Sequence, residues 1–186
     1  NGAILERRHK SLLPTYDVFD EARYFEPAAS VAPFEWNGRR LGITICEDIW
    51  AWPFPGGLKR LPYESNPLKS IPSKNTDLVV NLSASPFTPT KMKLRQHMCR
   101  QTVKQFKAPM IYQNMVGAQD ELIYDGGSMA FDAKGNIISQ SLRFEEDLNV
   151  VDLKKMEGGV RKLPSNPWEI LRRALVLGLK DFVEKT

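Results

Sequence analysis

Leu41-Gly42-Ile43-Thr44-Ile45-Cys46-Glu47-Asp48-Ile49-Trp50 is the stretch on which the fold reading turns. Leu41, Ile43 and Ile45 alternate with Gly42 and Thr44, which suits a strand with one face buried. The alternation stops at Cys46, and two acids follow. A thiol at a strand end is well placed for a nucleophile, because the scaffold fixes it while the next loop admits substrate. Free cysteine is also among the most buried residue types. On these ten residues alone, Cys46 reads as a packed core thiol or as a nucleophile, and the burial tendency favours packing.

Upstream, Asn37-Gly38 between two strand-like runs signals a tight hairpin, with Ser30–Trp36 as one arm and the Cys46 strand as the other. Residues 10–27 hold no period of 2 or 3.6. They carry Lys10, Tyr16, Phe19, Glu21 and Phe25, with prolines near both ends, a composition that fits a pocket wall better than filler. Gly2 to Lys10 reads as the end of a strand hairpin with a basic edge. The chain starts without Met inside that strand, so a fragment is expected.

Downstream, prolines at 53, 55, 62, 67 and 72 forbid long helices, and residues 50–72 are expected as a surface excursion near the site. Leu78-Val79-Val80-Asn81-Leu82 is a short apolar run typical of a strand buried on both faces. It ends in Ser83-Ala84-Ser85-Pro86, where α/β proteins place ligand groups; taken locally, Ser85 is a turn residue before proline. The spacing predicts a helix over 91–106, with Leu94, Met98, Val103 and Phe106 inside and Arg95, Arg100 and Lys104 outside. His97 and Cys99 fall in it and read as non-catalytic. Residues 109–116 form the next buried strand, so strand–helix–strand implies a parallel crossover. A hairpin over 128–141 and a strand over 148–153 follow. Gly158-Gly159 and Pro164–Pro167 read as a linker. Residues 168–183 form an amphipathic helix with Ile170, Leu171, Ala174, Leu175, Leu177 and Phe182 on a broad apolar stripe.

The composition, 42% hydrophobic and 26% charged over 186 residues, fits one globular domain and excludes disorder. No apolar run approaches the roughly 18 residues of a membrane span, and residues 1–8 lack the apolar core of a signal peptide. Two cysteines make no disulfide framework, and a reducing cytoplasm is the expected compartment. The net charge of +4 is scattered over Lys59-Arg60, Lys91–Arg95 and Arg172-Arg173. These read as solvated faces, and neither nucleic acid nor membrane is expected as a partner.

Four blocks in order carry a family resemblance. They are Lys10-Ser11-x-Leu13-Pro14-Thr15-Tyr16-x-x-Phe19-x-Glu21; Gly42-x-x-Ile45-Cys46-Glu47-Asp48-x-Trp50; Asn81-Leu82-Ser83-Ala84-Ser85-Pro86; and Asn114 through Gly117-Ala118-Gln119-Asp120-Glu121 to Asp125-Gly126-Gly127-Ser128. Together they resemble the glutaminase domain of the glutamine-dependent NAD synthetases, within the nitrilase superfamily of carbon–nitrogen hydrolases. Ala174–Asp181 resembles the start of that family's ATP-using domain. The resemblance implies an α/β fold, a nitrilase-like α-β-β-α sandwich in part, over residues 1–157. Residues 158–186 would be a linker and the first helix toward a synthetase domain.

The function implied is glutamine hydrolysis through a Cys46 thioester, with the ammonia passed through a tunnel to amidate deamido-NAD. By resemblance Lys10 is the catalytic lysine, Glu21 pairs with and orients it, and the Glu47 N–H is an oxyanion donor. Tyr16, Phe19, Trp50, Ser85 and Lys91 match the glutamine-pocket positions. No metal ligand and no cofactor is expected in these residues; ATP and Mg²⁺ would belong to the synthetase domain of the same protein. A homo-oligomer is expected.

One departure stands out. The family's general-base glutamate precedes the lysine block and matches nothing here. Glu6 would share a strand face with Lys10 but breaks the family order. Residues 1–186 alone are therefore expected not to turn over glutamine. Another nitrilase-fold amidase or N-carbamoyl amide hydrolase would share Cys46 and Lys10, and an inactive scaffold fragment would leave Cys46 inert.

Overall fold

The computed structural model describes residues 2–28, 31–55, 63, 65–74 and 76–186. The Lys59-Arg60 pair, the Gly56-Gly57 turn and the Ser30 start of the first hairpin arm lie outside them. In chain order the strands are β1 (Phe34–Trp36), β2 (Arg39–Ile45), β3 (Leu78–Ser83), β4 (Met110–Asn114), β5 (Val116–Gln119), β6 (Leu122–Asp125), β7 (Met129–Phe131), β8 (Ile137–Gln140), β9 (Val151–Asp152) and β10 (Glu157–Gly158). The helices are α1 (Lys91–Phe106) and α2 (Pro167–Lys185).

A six-stranded mixed sheet runs β1-β2-β3-β4-β7-β8. β2, β3 and β4 are parallel, and the outer pairs are antiparallel. Asn37 and Gly38 both take positive φ, 48° and 71°, which lets the β1–β2 turn follow the strand twist as expected. The β3–α1–β4 crossover and the β7–β8 hairpin also form where the sequence places them. α1 lays Met98, Cys99, Val103 and Phe106 on Val79, Met110, Tyr112 and Phe131, and this contact is the core.

Several expectations are corrected. Residues 2–10 form no strand, since no partner strand lies beside them among the described residues, and Ile4 and Leu5 are exposed. Glu6 accordingly shares no strand face with Lys10; it is exposed and lies 3.9 Å from Arg8. The described residues of 50–72 do not all lie at the surface: Trp50, Trp52, Leu68 and Ile71 are buried in the core, and Trp52 donates its indole N–H to Thr102 (2.9 Å). The 148–153 strand shrinks to Val151–Asp152, with Leu148 and Val150 exposed. The antiparallel β5–β6 ribbon at 116–125 is not foreseen as a hairpin.

Arg95 is the largest correction. It lies on the buried side of α1 with 0% exposure. Its Nη1 meets Asp125 Oδ1 at 2.7 Å, and its Nη2 donates to the carbonyls of Ser85 (2.6 Å) and Pro86 (3.0 Å). Arg143 Nε donates to the other Asp125 oxygen at 2.9 Å. A periodic reading that starts from Met92 puts Arg95 on the stripe of Met92, Cys99, Thr102 and Phe106, all buried.

α2 is capped by Asn166, whose side-chain oxygen accepts from the Trp168 N–H (2.9 Å), with Pro167 at its first position. It docks on the β5–β6 ribbon. Gly178 packs on Ile123, Asp181 accepts from the Ala118 N–H (2.7 Å), and Lys185 donates to the Ala118 carbonyl (2.7 Å). Of its expected apolar stripe only Ala174 is buried, and Leu175 and Phe182 stay exposed.

Replacing Asp125 with Asn leaves two buried guanidinium groups short of a counter-charge. The expected loss is about 3–5 kcal/mol, read as a lower denaturant midpoint at unchanged slope; a loss under about 1 kcal/mol, the range of exposed pairs, would contradict this account of the cluster.

Candidate active site

The parallel strands β2 and β3 end side by side, with Ile45 in register with Leu82. Beyond their C-terminal ends lies a cavity of about 740 Å³. The loop over 10–26 closes one side, and Lys91, Met115 and Tyr124 close the other. Cys46, Lys10, Tyr16, Phe19, Glu21, Glu47, Ser85 and Lys91 all line it.

Cys46 is the pivot between β2 and a short 3₁₀ helix at Cys46–Ile49. Its φ is +43°. This left-handed backbone costs an L residue on the order of 1–3 kcal/mol and turns the chain sharply at the thiol. Cys46 is partly exposed, whereas Cys99 is buried inside α1. Burial pushes the Cys46 thiol above its ordinary value; the Lys10 ammonium pulls it down and the Glu47 carboxyl pushes it up. The Ala84 N–H also favours the thiolate.

Lys10 Nζ meets both Glu21 oxygens, at 2.7 and 2.6 Å, in a half-buried pair. Glu21 opens a short 3₁₀ turn, Glu21–Arg23, and its own N–H donates to the Pro14 carbonyl (3.0 Å). Glu47 is buried, and one of its oxygens accepts from Tyr16 (2.9 Å) and Tyr63 (2.8 Å). Burial pushes its carboxyl up, and those two hydroxyls pull it back. Tyr16 and Phe19 meet edge to face at 5.9 Å. As the second residue of a helical turn, Glu47 holds one of the N–H groups that a helix start leaves without an internal acceptor.

Ser85 is held from three sides. Its N–H donates to Asn114 Oδ1 (2.9 Å), its carbonyl accepts from Arg95 Nη2, and Arg95 Nε donates to its hydroxyl (3.2 Å). Lys91 opens α1, and its ammonium sits 4.6 Å from the centre of the Trp50 ring. Burial lowers the Lys91 pKa, and Arg95 lowers it further. Trp50 is the one predicted pocket residue that does not line the cavity. It is buried behind the wall, among the core side chains, because residues 50–52 turn inward after the 3₁₀ helix.

Asp48, Asn81, Asn114, Tyr63 and Tyr124 are residues of this site to which the sequence reading gives no role. Asp48 is buried and accepts three backbone N–H bonds. Asn81, 0% exposed in β3, donates to Thr44 Oγ1 (2.9 Å) and to the Cys46 carbonyl (3.4 Å). The usable signal is polarity inside an apolar run, which a buried strand carries only where a partner waits. For Tyr63 and Tyr124 there is no such signal.

The chain matches the carbon-nitrogen hydrolase family model over residues 63–162, more than half its length. Similar proteins include the glutamine-dependent NAD(+) synthetases of Synechocystis sp., 45% identical over 99% of this chain and 34% of that protein, and of Thermotoga maritima, 34% identical over 100% and 36%. The chain thus spans about a third of the length of the curated relatives it matches. Among solved structures, the glutamine-dependent NAD+ synthetase of Acinetobacter baumannii superposes with a TM-score of 0.80 at 32% identity, over 98% of this chain and 33% of that one. A carbon-nitrogen hydrolase from Helicobacter pylori shares the fold, with a TM-score of 0.64 at 20% identity over 79% of this chain and 52% of that one. The mixed α/β sheet agrees with these likenesses, and the chain belongs to the carbon-nitrogen hydrolase family.

Proposed function

We propose that this chain is the glutamine-hydrolysing part of a glutamine-dependent NAD synthetase. The observation that carries the reading is the pairing of a thiol on a strained turn with a lysine that is itself fixed by Glu21, inside one cavity. In the same cavity Lys91 and Glu47 supply opposite charges, which match the two ends of a free amino acid better than a nitrile. Relatives similar in both sequence and structure carry the NAD synthetase name, which supports the finer reading over a stand-alone amidase.

In this reading the Cys46 sulfur attacks the side-chain amide carbon of glutamine. The carbonyl oxygen becomes an oxyanion, stabilised by the Lys10 ammonium and the Glu47 N–H. Collapse of the tetrahedral intermediate breaks the C–N bond, and the protonated nitrogen leaves as ammonia. Water then attacks the thioester carbon, glutamate leaves, and the thiol is restored. Ser85 and Lys91 hold the amino-acid end, with Lys91 facing its carboxylate, and Tyr16 and Phe19 wall the side chain. Trp50 acts from behind, as the aromatic face under the Lys91 cation.

Glu21 is engaged by Lys10, and Glu47 by two tyrosines. The proton of Cys46 is therefore assigned to a third carboxylate, the glutamate that the family places ahead of the lysine block. Residues 158–186 are proposed as the approach to the synthetase domain, with ammonia passing between the two and the whole assembling as a homo-oligomer. ATP and Mg²⁺ would serve that domain. Among the described residues no three His, Cys, Asp or Glu side chains cluster as a metal site. No helix among those residues is long and apolar enough to cross a membrane.

Ammonia release by the protein is expected from glutamine and not from aliphatic nitriles or N-carbamoyl amino acids. Preference for a nitrile or carbamoyl substrate would overturn the reading.

The thiol shift predicts a pH profile. Because burial raises the Cys46 pKa, its alkylation by iodoacetamide should keep accelerating through the ordinary thiol value of about 8.5. Lys10→Met removes the cation that opposes the shift. The rate near neutral pH should then fall, because less of the thiol is ionised there. A plateau below about pH 8 would contradict the sign.

A further inference from the structure

Asp48 stands two residues beyond the nucleophile, buried, and does not line the cavity. Among the described residues no Lys or Arg lies within ion-pair distance of it. A buried carboxylate without a cation is costly unless N–H groups surround it. Asp48 has three. Oδ1 accepts from the N–H groups of Ser11 (2.9 Å) and Leu12 (3.0 Å), and Oδ2 accepts from the N–H of Ile45 (2.9 Å).

The location of those three groups gives the arrangement its meaning. The Ser11 N–H belongs to the peptide plane that Lys10 shares with Ser11. The carbonyl of that same plane accepts from the Ala28 N–H at 2.9 Å, so the plane is held at both ends. The Ile45 N–H lies in the plane immediately before Ile45, one residue ahead of Cys46. One carboxylate therefore grips the backbone beside the lysine and the backbone beside the thiol, which are 36 positions apart in sequence. The loop carrying Lys10 has no strand or α-helix of its own. Its placement against the β2 elbow rests on side-chain contacts of this kind.

We infer that Asp48 is a positioning residue for amide hydrolysis: it sets the distance between the Lys10 ammonium and the Cys46 sulfur without touching substrate. The inference rests on the catalytic roles proposed above for Cys46 and Lys10. Asn cannot replace Asp48. It offers one oxygen for three donors, and its NH₂ would face a backbone N–H.

The test is a double-mutant cycle on the full-length protein with Lys10→Met, Asp48→Asn and both together. The readouts are the kcat and KM for glutamine and the rate of Cys46 alkylation by iodoacetamide at fixed pH. Asp48→Asn should lower kcat on the order of 10- to 100-fold, the scale of a misplaced catalytic group. KM should change less than about threefold, since the pocket residues remain, and alkylation should slow as in Lys10→Met. The double variant should be no slower than Lys10→Met alone, because both changes remove the same effect. Additive losses, or an Asp48→Asn protein that only melts earlier with unchanged alkylation, would overturn the inference. An inert Cys46 in the parent protein would instead sink the functional reading itself. Should Asp48→Asn fail to fold, Ser11→Pro removes one donor and keeps the carboxylate; it must show the same non-additive loss with Lys10→Met, and additivity there overturns the inference equally.

Discussion

A guanidinium with no exposure to water has to be met by acceptors in its plane, and in this fold Arg95 makes that demand from the second turn of α1. Four groups answer it: the Asp125 carboxylate, the hydroxyl and carbonyl of Ser85, and the carbonyl of Pro86. Asp125 in turn holds Arg143. The cluster sits where α1, the end of β3 and the end of β6 converge. It fixes the Ser85 loop at the cavity wall and anchors the β5–β6 ribbon, which carries Tyr124 into the same cavity and supports α2. A buried ion cluster adds little net stability over an apolar one, but removing one member is costly. What it supplies here is register: one geometry in which all its partners are satisfied.

The opposite wall depends on a different constraint. The loop over 10–27 has no ladder to hold it, and its density of charges and aromatics is the means of attachment. Glu21 takes Lys10, Tyr16 reaches Glu47, and Ser11 and Leu12 donate to Asp48. Each contact joins the loop to itself or to the four residues after β2. The thiol and the cation thus come from segments far apart in sequence yet line one cavity. The strained backbone at Cys46 is held there by β2 on one side and by the 3₁₀ turn on the other.

Much of this was legible in the sequence, for identifiable reasons. The Asn37-Gly38 turn, the β3–α1–β4 crossover and the bounds of α1 follow from local rules that tertiary contacts did not override. So does the thiol at the end of β2. The local rules failed where burial depends on a distant partner. Arg95 was placed outside because arginine is seldom fully buried, and Asp125, its partner, is 30 residues away. The family resemblance puts Trp50 among the pocket-lining positions, but the chain turns inward there and Trp50 lies against Lys91 instead. Residues 2–10 show strand-like composition without a strand beside them, and composition cannot supply the missing ladder. Among the described residues of 50–72 no long helix forms, as the prolines require, yet prolines say nothing of the depth at which Trp52, Leu68 and Ile71 pack. The stripe on α2 was read as one buried face, but the narrow β5–β6 ribbon covers only its Ala174–Gly178 side.

The central claim is that Cys46, and not Cys99, is a glutamine-directed nucleophile. Reaction of the protein with an electrophilic glutamine analogue, read by peptide mass, tests it most directly. The account predicts one adduct, on the peptide bearing Cys46, slowed by excess glutamine and absent after Cys46→Ala. Cys99 should stay unmodified, since it is fully buried and burial pushes its thiol far up. An adduct on Cys99, or labelling of Cys46 that glutamine does not slow, would contradict the account.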